Sequence, residues 1–135
     1  MAETAVTEVS SNKMFGGFNR RYKHTSSSLG CSMNFTIYYP PQAAAAGARV
    51  PVVYYLSGLT CTDENVIIKS GVQRACAKHG IALIAPDTSP RGLGVEGEEE
   101  SWDFGVGAGF YLNATVEKWK NWRMYDYITK VGGNE

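Results

Sequence analysis

The sequence predicts an α/β fold, and three observations carry that prediction. Val52–Leu56 and Ile81–Ala85 are uncharged runs of strand length, the pattern of strands in a parallel sheet covered on both faces. The residues between them read as helix. Strand, helix and strand thus follow in order, with more than the dozen or so connecting residues that a parallel, right-handed crossover needs. Ahead of them, Met33, Phe35, Ile37 and Tyr39 recur at period two, which marks a half-buried strand.

Taken in order, Met1–Glu8 reads as a loose end and Val9–Asn12 as a short edge segment. The paired glycines of Met14-Phe-Gly-Gly-Phe18 mark a bend. Asn19–His24 carries Arg20, Arg21, Lys23 and His24 around Tyr22, the pattern of a solvated strand face. Thr25–Gly30 is a Ser-rich turn, so this strand and the one over Met33–Tyr39 form an antiparallel hairpin. Pro40-Pro41 stops the hairpin, and Gln42–Arg49 is an Ala/Gly connection with nothing large to bury. After the first apolar run a helix begins over Asp63–Ile68, breaks at Lys69-Ser-Gly71 and resumes over Val72–His79, with Gly80 as its stop. Pro86-Asp87 ends the second apolar run at the sheet edge where Ser57-Gly58 lies. Thr88–Gly109 is then a long loop, a length that favours a functional role or disorder.

Within that loop Glu96, Glu98, Glu99 and Glu100 read as a solvated acidic run; without a His or a fixed spacing they do not make a metal site. Gly105, Gly107 and Gly109 have no strand directly before them, so they are not a dinucleotide-binding turn. Lys118–Lys130, with Trp119, Trp122, Tyr125, Tyr127 and Ile128 amid polar residues, predicts an amphipathic helix packed on the sheet. Val131–Glu135 breaks it.

Length and composition bound the function. A chain of 135 residues with 44% hydrophobic and 19% charged residues is one globular domain with a sizeable core. Its formal net charge of zero provides no basic field for nucleic acid. No apolar run reaches the roughly 20 residues that span a bilayer, and Met1–Asn12 lacks the apolar centre of a signal peptide, so a cytoplasmic location without a membrane partner is expected. Cys31, Cys61 and Cys76 are odd in number and lack Cys-x-x-Cys spacing, so they read as free thiols rather than a disulfide framework or zinc ligands. No metal or other cofactor is indicated.

The stretch with most chemical content is Pro51–Asn65, where the apolar strand breaks into Ser57-Gly58-Leu59-Thr60-Cys61. Gly58 can take a positive φ and lets groups approach the backbone, while Thr62 or Asp63 can cap the next helix and leave amide N–H groups for an anion. The same residues serve equally as an ordinary strand-to-helix turn. A nucleophile elbow of the type Gly-x-Ser-x-Gly is absent. His24 and His79 read as surface residues rather than bases, and Ser57 and Ser70 as turn or cap residues. Cys61 beside a helix start would be an activated thiol, although a partly buried small hydrophobe is the commoner role.

Four stretches carry a resemblance: Ser11–Gly17, Tyr55–Asn65, Ile84–Gly92 and Glu100–Tyr111. Together they resemble the S-formylglutathione hydrolases, also called esterase D, over about Val9 to about Thr129. The resemblance implies an incomplete α/β-hydrolase fold, its N-terminal strands and crossover present and the nucleophile strand absent. It implies a serine thioesterase and carboxylesterase family that hydrolyses S-formylglutathione to glutathione and formate in formaldehyde detoxification, cytoplasmic and usually homodimeric, also cleaving small esters. It places Leu59 N–H in the oxyanion hole, with Ser57, Gly58, Thr60 and Cys61 in the loop around it, where one donor would be worth about 3 kcal/mol. Trp102, Phe104, Phe110 and Tyr111 would support the pocket.

The catalytic Ser, Asp and His of that family have no counterpart in residues 1–135, and residues 131–135 depart from its pattern. The chain is therefore expected to be a partial hydrolase domain that is inactive alone, with the sheet edge beside Ile81–Ala85 left unpaired. The alternative is a non-catalytic truncated isoform that associates with the full-length subunit.

Overall fold

The computed structural model describes residues 5–131. The loose end assigned to Met1–Glu8 lies partly outside this range, as does most of the Val131–Glu135 tail. Five strands form one mixed sheet: β1 (Thr7–Met14), β2 (Gly17–Ser26), β3 (Cys31–Tyr39), β4 (Val52–Tyr54) and β5 (Ala82–Pro86). Their spatial order is β1-β2-β3-β5-β4.

The N-terminal half is a meander. β1 and β2 pair antiparallel with Met14 opposite Gly17, so the bend is a two-residue turn, with Phe15 at φ 48° and Gly16 at φ 75°. Two central residues of positive φ suit the right-handed twist of the flanking strands. Gly17 is required for a different reason: a Cβ there would lie 2.0 Å from the Tyr39 carbonyl oxygen. The predicted hairpin of β2 and β3 is present, with Tyr22 opposite Phe35 and their rings stacked at 5.3 Å.

The crossover also forms as predicted. α1 (Asn65–Lys69) and α2 (Val72–His79) connect β4 to β5, and those two strands pair parallel, Val53 with Leu83. Gly71 and Gly80, both in the left-handed region at φ 68° and 66°, separate the two helices and end the second, a conformation with little steric cost for glycine. Tyr38, Leu83 and Ala85 of the sheet pack with Val66 and Cys76 of the helices to form the main core. Leu29, Met33, Met124 and Tyr127 form a second, smaller one.

Four expectations fail, each for a local reason. Val52–Leu56 is not covered on both faces: its five side chains are all more than 40% exposed, Val52 by 51% and Leu56 by 42%. Nor is Ile81–Ala85 the open edge. β5 lies inside the sheet between β3 and β4, so β4 is the terminal strand, with no second strand beside it among the described residues. On β3, Met33 is buried but Phe35, Ile37 and Tyr39 are only half-buried, while Thr36 and Tyr38 on the opposite face are enclosed. The crossover helices cover that opposite face, and its polar atoms find partners there: Tyr38 donates to the Met14 carbonyl at 3.0 Å and Thr36 to Asp63 at 2.8 Å. The half-buried residues line an open apolar groove with Tyr22, Ile84 and Ile128, about 270 Å³ in volume.

The single helix predicted over Lys118–Lys130 is the fourth. A 3₁₀ turn at Glu117–Trp119 comes first, a bridge pairs Asn113 with Arg123, and helix begins only at α3 (Met124–Asp126), running into a π turn at Tyr127–Val131. Trp119 and Trp122 pack edge to face at 4.9 Å, and the Trp122 indole donates to the Gly105 carbonyl at 3.1 Å. These tryptophans bind the long loop to the turn, a use of aromatic spacing that resembles a helical stripe in sequence alone.

Candidate active-site loop

The Ser57–Cys61 segment leaves the carboxyl end of β4, beside the carboxyl end of its parallel neighbour β5. In open α/β sheets ligands bind outside this edge. Tyr55 N–H makes the last ladder bond, 2.8 Å to the Ile84 carbonyl. Beyond it the chain is held by loops rather than by the sheet. Ser57 is buried, and its carbonyl accepts the Tyr111 hydroxyl at 2.5 Å. Thr60 N–H donates to the Gly107 carbonyl at 2.8 Å, and Cys61 N–H turns back to Gly58 at 3.3 Å. The Cys61 carbonyl receives the Thr88 hydroxyl at 2.5 Å and Arg91 Nη2 at 3.3 Å.

Three amides in this frame, those of Ser57, Gly58 and Leu59, are left over among the described residues, and the Leu59 side chain is 42% exposed. A Cβ on Gly58 would meet nothing within 4 Å, so space is open at the peptide preceding Leu59. The positive φ expected of Gly58 belongs instead to Thr60, at 64°. For a β-branched residue that conformation is unfavourable, and the bonds on either side of it hold it in place. Cys61, half-buried, lines an open cleft of about 230 Å³ with Tyr55, Asn65, Val66 and Lys69.

Helix capping differs from expectation as well. Thr62 supplies its hydroxyl to Glu64 N–H at 3.2 Å, but Asp63 is fully buried and binds Arg21 and Thr36. The basic strand face is thus partly an anchor for the crossover. His24 is buried rather than on the surface, with Nε2 at 2.9 Å from the Tyr127 hydroxyl. His79 is exposed at the end of α2. No histidine hydrogen-bonds Ser57, Ser70 or Cys61 among the described residues. Ser70 has the expected turn role, donating to the Val66 carbonyl at 2.5 Å and accepting Val72 N–H at 3.1 Å.

Of the four aromatic residues expected to support the pocket, Tyr111 touches the loop directly; burial pushes its phenol up to about 12. Phe104 packs edge to face on Trp119 at 4.8 Å. Trp102 and Phe110 are exposed, by 67% and 55%. Within the acidic run, Glu98 is buried, and its carboxylate accepts Gly94 and Val95 N–H at 3.1 and 3.2 Å, closing a turn; Glu96, Glu99 and Glu100 are exposed. No three His, Cys, Asp or Glu side chains converge as metal ligands among the described residues, and none of their helices is long and apolar enough to cross a membrane.

The residues missing from the sequence reading are Asp87, Thr88 and Arg91. Their signal was a strand ending in Pro86-Asp87 with an arginine four positions later, close enough to fold back on the aspartate.

A family model for putative esterases matches residues 26–130, which include the Ser57–Cys61 loop and its supports at Thr88, Arg91, Gly107 and Tyr111. The chain belongs to that esterase family. This esterase chain is 69% identical over 127 residues to an S-formylglutathione hydrolase of Arabidopsis thaliana, covering 94% of its own length and 44% of the relative's. It is 54% identical over 127 residues to one from Mus musculus, at 93% and 44% coverage. Among solved structures, an S-formylglutathione hydrolase from Agrobacterium tumefaciens superimposes with a TM-score of 0.86 at 44% identity, over 92% of this chain and 44% of that one. The esterase chain therefore has the fold of the matched part of an α/β-hydrolase and spans less than half the length of these relatives.

Proposed function

We propose that Ser57–Cys61 is half of an oxyanion hole, with Leu59 N–H as the donor, in a serine hydrolase that cleaves S-formylglutathione and small esters. The supporting observation is the Leu59 amide. It meets no acceptor among the described residues, in a loop held before it through the Ser57 carbonyl and after it through Thr60 N–H and the Cys61 carbonyl. A preorganised N–H of this kind stabilises the charge that develops on a tetrahedral intermediate without reorganising during the reaction. Tyr111 fixes the entry to the loop at Ser57, while Thr88 and Gly107 fix its exit. The nucleophile, its base and the orienting carboxylate have no candidates in residues 1–135, so this chain alone does not turn substrate over. In the complete enzyme the reading carries a cytoplasmic location, consistent with unpaired thiols, and a homodimeric assembly.

The decisive experiment places this chain in the Arabidopsis relative in exchange for its matching 127 residues. The chimera is expected to hydrolyse S-formylglutathione. Leu59→Pro, which removes the N–H donor and also restricts the backbone at Gly58 and Leu59, lowers kcat by about 10²–10³, and Leu59→Ala, which keeps the donor, has a far smaller effect. Equal kcat values for the two variants would refute the assignment. The unmodified 135-residue chain is expected to hydrolyse a nitrophenyl ester no faster than a denatured control.

A further inference from the structure

We infer that Arg91 is the positioning residue of the Ser57–Cys61 loop, one guanidinium that locks three separate segments together and thereby fixes the direction of the Leu59 N–H. The inference rests on the oxyanion reading for its purpose, but not for its geometry. Nε and Nη2 of Arg91 each lie 2.8 Å from an Asp87 carboxylate oxygen. Nη1 donates to the Val106 carbonyl at 3.0 Å and Nη2 also reaches the Cys61 carbonyl at 3.3 Å. Asp87, at the end of β5, is 3% exposed and accepts Thr88 N–H at 2.7 Å. The fork is therefore aimed by a buried carboxylate at a strand terminus.

What it holds is specific to the loop. The Cys61 carbonyl is bound directly. The 105–107 turn, bound through Val106, supplies the Gly107 carbonyl that receives Thr60 N–H at 2.8 Å. The Leu59–Thr60 peptide, through Gly107, and the Cys61 carbonyl, which also accepts the Thr88 hydroxyl at 2.5 Å, thus meet in the fork of one side chain, and between them lies Thr60 with its unfavourable φ of 64°. A lysine in place of Arg91 could satisfy the charge of Asp87 but could not reach two carbonyls in divergent directions, because an ammonium lacks the planar fork. Ion pairing alone and positioning by the fork therefore make different predictions for Arg91→Lys.

The test is amide hydrogen exchange by NMR on the 135-residue chain, with no substrate. In Arg91→Lys the Thr60 amide is expected to exchange about tenfold faster than in the unmodified chain, the equivalent of one lost charge-assisted hydrogen bond. Thr36 and Leu83, in the sheet, should stay within about twofold, since local openings are independent of global unfolding. Arg91→Met is expected to produce the same pattern with a larger rise at Thr60. Thr60 exchange unchanged in Arg91→Lys would overturn the inference, and so would a uniform rise at every amide, which marks a general structural role. Because nothing is turned over, the result is independent of the Leu59 experiment: a failed oxyanion assignment leaves the clamp standing, and a failed clamp leaves the donor assignment standing.

Discussion

Arg21 on β2 and Asp63 ahead of α1, 42 residues apart in sequence, meet as a two-point pair: Nε to Oδ2 at 2.9 Å and Nη2 to Oδ1 at 3.0 Å. Thr36, the cross-strand partner of Arg21, donates a third bond to Asp63 at 2.8 Å. The carboxylate is fully enclosed, whereas the guanidinium side chain keeps 26% of its exposure. The pair ties the crossover to the meander at the point where the chain leaves the Ser57–Cys61 loop.

Asp63→Ala leaves the Thr36 hydroxyl without its acceptor and the guanidinium with Glu64 at 3.5 Å. The expected cost is about 3 kcal/mol, the low end for a broken buried pair because Arg21 is partly hydrated. Thr36→Val, which removes one donor, should cost about 1 kcal/mol. Urea denaturation of both single variants and the double variant measures the coupling; additive costs would show that the three groups do not act as a unit.

Acid should loosen the α3 region by titrating Asp126. The Asn113 side chain, followed by Arg123 and Lys130, holds this carboxylate well below the usual range, with Arg123 Nη2 at 2.5 Å. A folded-state value below the unfolded one contributes stability above about pH 4, lost as pH falls through the folded value. Asp126→Asn is therefore expected to flatten the acid limb of a stability profile below about pH 4, with little change near neutrality in its slope. An acid limb identical in the two proteins would contradict this.

The terminal strand β4 presents an uncharged apolar edge, with Val52 and Val53 exposed by 51% and 46%. Edges of this kind are templates for pairing with another chain, and charge is the usual deterrent. Val53→Lys is expected to lower concentration-dependent light scattering while leaving the unfolding free energy within about 0.5 kcal/mol, as for other exposed positions. Scattering that does not respond would place association elsewhere.

Much of the fold was legible in the sequence because local signals agreed. The period-two strand, the proline stop, the glycine breaks at 71 and 80 and the strand-helix-strand order all specify the same hairpin and crossover. The misreadings share one cause: sequence patterns report what a segment can bury, not what neighbours it meets. Val52–Leu56 has the composition of an enclosed strand but lies on an open edge. Tyr38 and Thr36 are buried because their polar atoms find Met14 and Asp63, which period-two counting cannot show. His24 reads as one more cation on a polar face until Tyr127 arrives from 103 residues away. The loop itself was found from Ser57-Gly58 and the family likeness, whereas its supports at Arg91, Thr88 and Gly107 are long-range contacts with no local signature.

The order of strands also sets a timetable. β4 and the loop after it are synthesised before their supports: the only strand beside β4 among the described residues is β5, and the loop's remaining supports come from Thr88, Arg91, Gly107 and Tyr111. Contacts so distant along the chain close slowly, because the connecting segments must be ordered first. Ser57–Cys61 thus leaves the ribosome before the groups that hold it and takes its shape only after they arrive, so the loop cannot set until the sheet beneath it is complete.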